Sequence, residues 1–298
     1  MAEAPQSPRV GIVANPEKSG GKALLKDLLN RFRSVGISVS LEMLTARNIG
    51  RKTGKGLADL NDAVDLMVIL GGDGTILWAL RQLQEKIKPL AAINVGTLGF
   101  LTCATAEESD AFVEGIAGGT YKLSERALIH CRLHLAGRKT ESFIALNEVT
   151  LSRGDRSRVI HIDAMINGLF SNRYTGDGLL LATPTGSTAY SLSAGGPLVA
   201  PSAGVFILTP ICPHTLANRP LILDAESHVS LRVPNQRDDL YMMVDGRRVA
   251  QITDNTNIEI DRSDFSLKLV QLEGQNFYGT LHQKLGWTGS AIKESSSR

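Results

Sequence analysis

The chain has 298 residues, 43% of them hydrophobic and 21% charged, and its 32 Lys+Arg against 30 Asp+Glu leave a formal charge of +2. This mixture suits one large or two modest globular domains and excludes wholesale disorder. The near-neutral balance argues against nucleic acid as a partner, since such binders need a concentrated cationic face. Apolar runs such as Leu66 to Leu70 fall far short of the roughly 20 residues of a spanning helix, so no membrane partner is expected.

Met1 to Pro8 is polar and lacks a charged leader followed by an apolar stretch, which makes the cytoplasm the expected location. Val10 to Ala14 reads as a strand, and Leu24, Leu25, Leu28, Leu29 and Phe32 then recur at helical spacing. Ile37, Val39, Leu41 and Met43 alternate with polar residues and predict a half-buried strand. Leu66 to Leu70 is apolar throughout, as a central strand covered on both faces would be. Ile76, Leu77, Leu80 and Leu83 form the next helical face, and Leu90 to Val95 the next strand. Strand-helix-strand repetition implies a parallel, Rossmann-like sheet.

From about Leu123 the period changes to two. Ile129, Cys131, Leu133 and Leu135 alternate with polar neighbours, as do Ile160, Ile162, Ala164 and Ile166. Further strand signals follow at Gly204 to Pro210, His228 to Val233, Leu240 to Val244 and Phe265 to Val270. The expected fold is therefore an α/β N-terminal domain over residues 1–122 and a C-terminal all-β, sandwich-like domain over 123–277. The Ser-rich tail, Ser290 to Arg298, is expected to fray. Cys103, Cys131 and Cys212 are odd in number and widely spaced, which predicts reduced thiols packed in the interior. His130 and His134 fall on a strand, where four residues span about 13 Å, too far apart to share one ion.

Two segments carry chemistry. Gly71-Gly72-Asp73-Gly74-Thr75 lies between the buried strand and a helix expected to begin near Ile76. Glycines let the backbone approach a ligand closely, and the helix N-terminus behind them offers free N–H groups to phosphate. A carboxylate repels phosphate, so Asp73 needs a separate role: accepting a proton from a hydroxyl, touching a metal, or merely capping the helix. Gly21-Lys22 is followed by Ala23, so there is no Walker A loop. The second segment is Tyr174 to Pro197, YTGDGLLLATPTGSTAYSLSAGGP. Its small residues and hydroxyls suggest a long ordered loop forming a wall for a polar ligand, with Asp177 able to accept ribose hydroxyls and Tyr190 offering a ring and a hydroxyl.

These two segments, with Val10 to Asn15, Asn94 to Phe100 (NVGTLGF), Asn147-Glu148, Pro210 to Pro220 (PICPHTLANRP) and Lys284 to Trp287, resemble the NAD kinase family over almost the whole chain. The GGDGT loop alone is shared with lipid kinases and phosphofructokinases, whereas TPTGSTAYSLSAGGP is distinctive. The resemblance implies ATP-dependent phosphorylation of the adenosine-ribose 2′-hydroxyl of NAD to give NADP, at a site between the two domains. Asp73 is implied as proton acceptor, with Gly71, Gly72, Gly74 and Thr75 facing phosphate. Asn147 and Glu148 are implied at the adenosine portion and Phe100 near the adenine. Asp177 is implied at the nicotinamide-side ribose, with Thr188, Ala189, Tyr190, Ser191, Leu192 and Ser193 along the dinucleotide and Asp245 near the same pocket.

Thr175 stands where related bacterial enzymes often carry arginine, in a neighbourhood the family links to choosing NAD over NADH. Arg247 stands where glutamine is common and is suited to pair with phosphate or carboxylate. Arg158 is placed to reach a bound phosphate. The family further implies a divalent metal cation, Mg2+ or Mn2+, whose protein ligands are unassigned. It also implies a homo-oligomer, dimer or tetramer, and a C-terminal segment, residues 278–298, returning to the first domain. The rival readings are a lipid or sugar kinase sharing only the GGDGT loop, and a dinucleotide-binding sensor without turnover.

Overall fold

The computed structural model describes residues 8–287, other than 16, 97–98, 136–138, 155–158, 216, 235–239 and 253–255. Residues 1–7, Arg158 and the Ser-rich tail lie outside them. The chain divides into two compact units, one of Met1–Ile76, Lys88–Leu123 and Val270–Arg298, the other of Leu77–Ile87 and Ser124–Leu269.

In the first unit, strands β1 (Val10–Ala14), β2 (Val39–Leu41), β3 (Leu66–Leu70), β4 (Leu90–Asn94) and β5 (Ala104–Thr105) pair in parallel in the order β2-β1-β3-β4-β5. The continuous apolar runs of β1 and β3 have a direct cause, because each strand is buried on both faces. On one face Val10, Ile12, Val68 and Leu70 pack with Leu25, Leu28 and Phe32 of helix α1 (Gly21–Ser34). On the other, Gly11 leaves room for Leu60 of α3 (Leu57–Ala63); a Cβ there would stand 3.0 Å from the Leu60 side chain. Phe32 meets Phe112 of α5 (Ser109–Gly118) edge to face, with ring centroids 6.3 Å apart.

Two expected boundaries move. The strand foreseen from Ile37 to Met43 ends at Leu41, because Glu42 accepts the N–H groups of Leu44 and Thr45, both at 2.8 Å, and so caps helix α2 (Met43–Asn48). Met43 consequently leaves the sheet and is exposed. Helix α4 (Asp73–Leu83) begins at Asp73 rather than near Ile76, so half of the glycine motif forms its first turn.

The second unit is a β-sandwich. Its strands, in chain order, are β6 (Tyr121–His134), β7 (Glu141–Ala145), β8 (Glu148–Arg153), β9 (Ile160–Ile166), β10 (Leu169–Gly176) and β11 (Gly178–Ala182). After the short helix α6 (Tyr190–Ser193) come β12 (Val205–Ile211), β13 (Leu221–Asp224), β14 (Val229–Arg232), β15 (Leu240–Val244), β16 (Arg247–Ile252) and β17 (Asn257–Leu272). One sheet is antiparallel in the order β13-β12-β11-β8-β15-β16. Facing it, β10-β9-β14-β17 are antiparallel neighbours, and β6 pairs β7. Alternate residues supply the core between the sheets, Val149, Leu151, Leu179 and Leu181 from one side and Ile129, Ile162, Val229 and Ile258 from the other. Helix α7 (Phe277–Leu285) falls within the first unit.

The reading of Tyr174 to Pro197 as one long loop is corrected. Its first part is the end of β10 and all of β11, and β11 lies inside a sheet. Leu180 and Ala182 point away from the sandwich core and pack with Ile207, Ile211, Ala194 and Val199, which explains an unbroken apolar run in a sandwich strand. Only residues 183–200 form the small-residue cover over this outer face. Cys212 also departs from expectation: Cys103 and Cys131 are buried, whereas Cys212 is exposed on a turn with φ 44°.

Phe32 is fully buried at the α1–α5 contact. Phe32→Ala is expected to destabilise the chain by about 3–5 kcal/mol in denaturant titration; a loss under about 1 kcal/mol would contradict this packing.

Candidate active site

In the first unit, β3 delivers the chain to Gly71-Gly72 and α4 starts immediately after. None of Gly71, Gly72 and Gly74 has positive φ. Their value is space: a Cβ on Gly71 would overlap the Thr75 side chain, whereas one on Gly74 would meet open surroundings. The Asp73 carboxylate accepts the backbone N–H groups of Phe100 and Leu101, each at 3.2 Å. Gly99 passes so close to the carboxylate that a Cβ there would overlap it. Burial raises the Asp73 pKa above the ordinary carboxylate range, opposed by the two amides and by the Lys284 ammonium. The Asp73 carboxyl therefore holds its proton more firmly than an exposed carboxylate does.

The second unit holds the other acidic residues. Asp245 and Gly246 form the two-residue turn between β15 and β16, with φ 47° and 73°, the left-handed pair that a type I′ hairpin requires. This turn folds the Asp245 carboxylate back onto the N–H groups of Leu146 (3.0 Å), Asn147 (2.7 Å) and Glu148 (3.2 Å). Burial nevertheless raises the Asp245 pKa. Glu148, 4% exposed, opens β8 and accepts the Tyr190 N–H. Burial, together with the neighbouring Asp245 charge, pushes its pKa up to about 7. Among the described residues its Oε2 has no hydrogen-bond partner.

Asp177 sits between β10 and β11, with its N–H on Ile211 O at 3.0 Å. Arg153 Nε donates to its Oδ1 at 2.6 Å, and this bond, with a further one from Cys212, holds the carboxyl below its usual range. Thr175, two residues earlier in β10, has its Oγ1 2.9 Å from His161 Nδ1.

The residues 183–193 divide into scaffold and surface. Thr183 Oγ1 donates to Leu146 O (2.5 Å), Ser187 Oγ to Pro184 O (2.6 Å) and Thr188 Oγ1 to Thr185 O (3.0 Å), while Ser191 Oγ faces Thr209 Oγ1 at 3.4 Å. These hydroxyls hold the cover together instead of all facing outward. Gly186 packs against the main chain of Asn147, where a Cβ would overlap the Asn147 carbonyl. Tyr190 is 41% exposed, Ser193 is exposed, and Ala189 and Leu192 are half-buried. Arg247 borders a cavity of about 60 Å³ with Asp245 and Arg81.

Within the second unit the fold therefore gathers Asn147, Glu148, Asp177, Tyr190 and Asp245 from four separated stretches of chain. Within the first it gathers Asp73 and Phe100. It adds Arg153, Cys212 and Lys284, to which sequence reading assigned no role. The signal for Arg153 was its register: Gly178 pairs with Ser152, which sets Arg153 beside Asp177.

An α/β unit with a glycine loop opening a helix, joined in sequence to a β-sandwich rich in acidic and hydroxyl groups, places the chain among small-molecule kinases. The comparisons specify which. Residues 10–121 match the ATP-NAD kinase N-terminal domain and residues 146–272 the ATP-NAD kinase C-terminal domain. The chain is 36% identical over 279 residues to an NAD kinase of Geobacter metallireducens, covering 94% of this chain and 98% of that one. It is 32% identical over 277 residues to an NAD kinase of Clostridium beijerinckii, covering 93% and 95%. The crystal structure of yeast NADH kinase complexed with NADH superposes with a TM-score of 0.88 at 28% identity, over 96% of this chain and 90% of that one. An NAD kinase from Archaeoglobus fulgidus, in complex with ATP, shares the fold at TM-score 0.73 and 24% identity, over 93% and 98%. The chain belongs to the ATP-NAD kinase family.

Glu148 generates a test of stability against pH. Its carboxyl releases a proton near its ordinary 4.5 when unfolded and at about 7 when folded. The folded state holds the proton longer, so this contribution is intact below pH 4.5 and is lost as pH rises through 7, by roughly 3 kcal/mol. Glu148→Gln, which cannot ionise, is expected to gain in Tm over the parent between pH 5 and pH 8; calorimetry showing a pH-independent difference would contradict the raised pKa.

Proposed function

We propose that the chain transfers the γ-phosphoryl group of ATP to the 2′-hydroxyl of the adenosine ribose of NAD, giving NADP, with Asp73 as proton acceptor. The observation that carries this reading is Asp73 itself, a carboxylate of raised pKa held by two amides at the head of α4. A ribose hydroxyl is a poor nucleophile at neutral pH. As its oxygen bonds to the γ-phosphorus and the β–γ bridging bond breaks, its proton passes to Asp73 and then to solvent. Gly71, Gly72, Gly74 and Thr75 form the phosphate side. The NADH bound to the yeast relative and the ATP bound to the archaeal one support dinucleotide and ATP as the two substrates.

The NAD side in this reading is Phe100 together with Asn147, Glu148, Thr175, Asp177, Asp245, Arg247 and the run Thr188 to Ser193; Arg158 belongs to the same proposal but lies outside the described residues. Residues 1–122 serve as the phosphate-loop domain, joined by residues 278–298, and 123–277 as the NAD-binding domain.

Among the described residues no group of three or more His, Cys, Asp and Glu is arranged to hold a metal. Both Asp73 oxygens already accept amides. This donor set fits an Mg2+ or Mn2+ ion carried on triphosphate oxygens and water, with Asp73 the carboxylate of the loop, and does not fit a protein cage. When bound, such an ion neutralises phosphate charge. Among the described residues no helix is long and apolar enough to cross a membrane. A cytoplasmic homo-oligomer acting on NAD and ATP, without nucleic-acid or membrane partners, completes the reading.

The test is NADP formation from NAD and ATP with magnesium, run on the parent chain and on Asp73→Asn, with NADH as a second acceptor. The expected outcome is a fall in kcat of about 10²–10⁴ for Asp73→Asn with NAD binding retained. An unchanged kcat would remove the base role, and NAD binding without any NADP from the parent chain would leave a dinucleotide sensor. Comparable rates with NADH would mark Thr175 as permissive for the reduced cofactor.

A further inference from the structure

Both oxygens of the Asp245 carboxylate are engaged. Oδ2 accepts the Leu146 N–H at 3.0 Å, and Oδ1 accepts the N–H groups of Asn147 at 2.7 Å and Glu148 at 3.2 Å. A proton on the carboxyl would set an O–H donor among these N–H donors, so the three bonds favour the ionised form. Burial opposes that form. A positive charge nearby restores the balance, and the structure supplies one. Arg81 of α4 lines the same cavity of about 60 Å³ as Asp245 and Arg247, and Leu80 and Phe143 contribute apolar wall to it. Apolar walls lower the local dielectric and let a charge on the rim act across the space. Among the described residues, the charged groups facing Asp245 are Glu148 on β8, which repels it, Arg81 on α4, which attracts it, and Arg247 on the cavity wall. All of them belong to the second unit.

We infer that Arg81 is a positioning residue for the dinucleotide site: its charge keeps the Asp245 carboxylate ionised against the amides of residues 146–148, and so holds Asn147 and Glu148 where they receive NAD. The inference deepens the proposed NAD kinase activity and rests on it. Arg81 acts here through Asp245 and not on the substrate. Removing a cation favours the neutral carboxyl, so without Arg81 the Asp245 carboxyl takes up its proton at a higher pH. The amide bonds then weaken, the entry into β8 loosens, and NAD affinity falls first on the acid side. A purely structural role for Arg81 in α4 would lower affinity alike at every pH. Lysine keeps the charge without the guanidinium fork, which separates the two roles.

The experiment uses the full chain as parent, Arg81→Gln and Arg81→Lys, and lowers the pH stepwise from about 8. It follows the NMR amide resonances of Leu146, Asn147 and Glu148 and, by calorimetry, the affinity for NAD. The amides are needed because Glu148 titrates in the same unit, and the Leu146 N–H reports the Asp245 carboxyl directly. In Arg81→Gln the acid transition of these amides is expected to move up by roughly 0.5–1 pH unit. NAD affinity is expected to fall about three- to tenfold below the parent within that window, the difference narrowing toward pH 8. Arg81→Lys is expected to keep the parent's transition. An unmoved transition in Arg81→Gln, a moved transition without loss of NAD affinity, an equal loss at every pH, or an Arg81→Lys chain as weak as Arg81→Gln would each overturn the inference. If the parent binds no NAD, the kinase reading fails and this inference falls with it. If the parent binds NAD and forms NADP while Arg81→Gln follows its pH profile, only the inference fails.

Discussion

The carboxylate of Asp245, turned back by a left-handed residue onto three consecutive amides, is the interaction on which the β-sandwich site depends. The amides belong to Leu146, Asn147 and Glu148, so one side chain fixes the entry into β8. Charge-assisted hydrogen bonds of this kind contribute about 1.5–3 kcal/mol each. Burial nonetheless wins, since the Asp245 pKa is raised despite all three. The consequence is felt next door, where Glu148 is kept partly protonated by its own burial and by the Asp245 charge. Two acids held close together against their preference are poorly placed for stability and well placed to receive hydroxyl and amino donors.

The first unit repeats the device with fewer amides. Asp73 accepts two N–H groups from the segment after β4 where Asp245 accepts three, and each carboxyl ends with a raised pKa dominated by burial. The difference lies in what is left over. Asp245 is enclosed by the turn that presents it, whereas Asp73 stands on the first turn of α4, at the positive end of the helix. Asp177 is the counter-example, held below the usual range by Arg153 and therefore ionised throughout the neutral region. The chain thus carries carboxylates tuned in opposite directions, Asp73, Glu148 and Asp245 resisting ionisation through burial and Asp177 fixed as an anion beside an exposed thiol.

The hydroxyl-rich stretch shows how composition can mislead about mechanism. Thr183, Ser187, Thr188 and Ser191 suggested ligand contacts because hydroxyls demand partners, and they do have partners, within the cover itself. Small residues are needed there because the cover packs directly on a sheet, with Gly186 against the Asn147 main chain and Ser191 fully buried. Among the described residues, the groups this scaffold leaves exposed or unsatisfied are others, among them Tyr190 and the Glu148 carboxylate.

Periodicity and composition were sufficient to determine a five-residue buried strand at Leu66–Leu70, the α1 face, the change to an antiparallel β unit near Leu123 and the two motifs that name the family, because burial pattern and turn chemistry are local properties of the chain. Where local signals competed, reading along the chain failed. Glu42 ended a strand that alternation would have continued, and β11 was hidden because its short apolar run is flanked by the glycines and hydroxyls of the same stretch, which read as loop. Only the tertiary structure decided that Cys212 would be exposed, that Arg153 would meet Asp177, and that Glu148 would share its charge with Asp245, ninety-odd residues away. Those outcomes follow from sheet register and from the burial of charge, quantities that come into being only when distant segments pack.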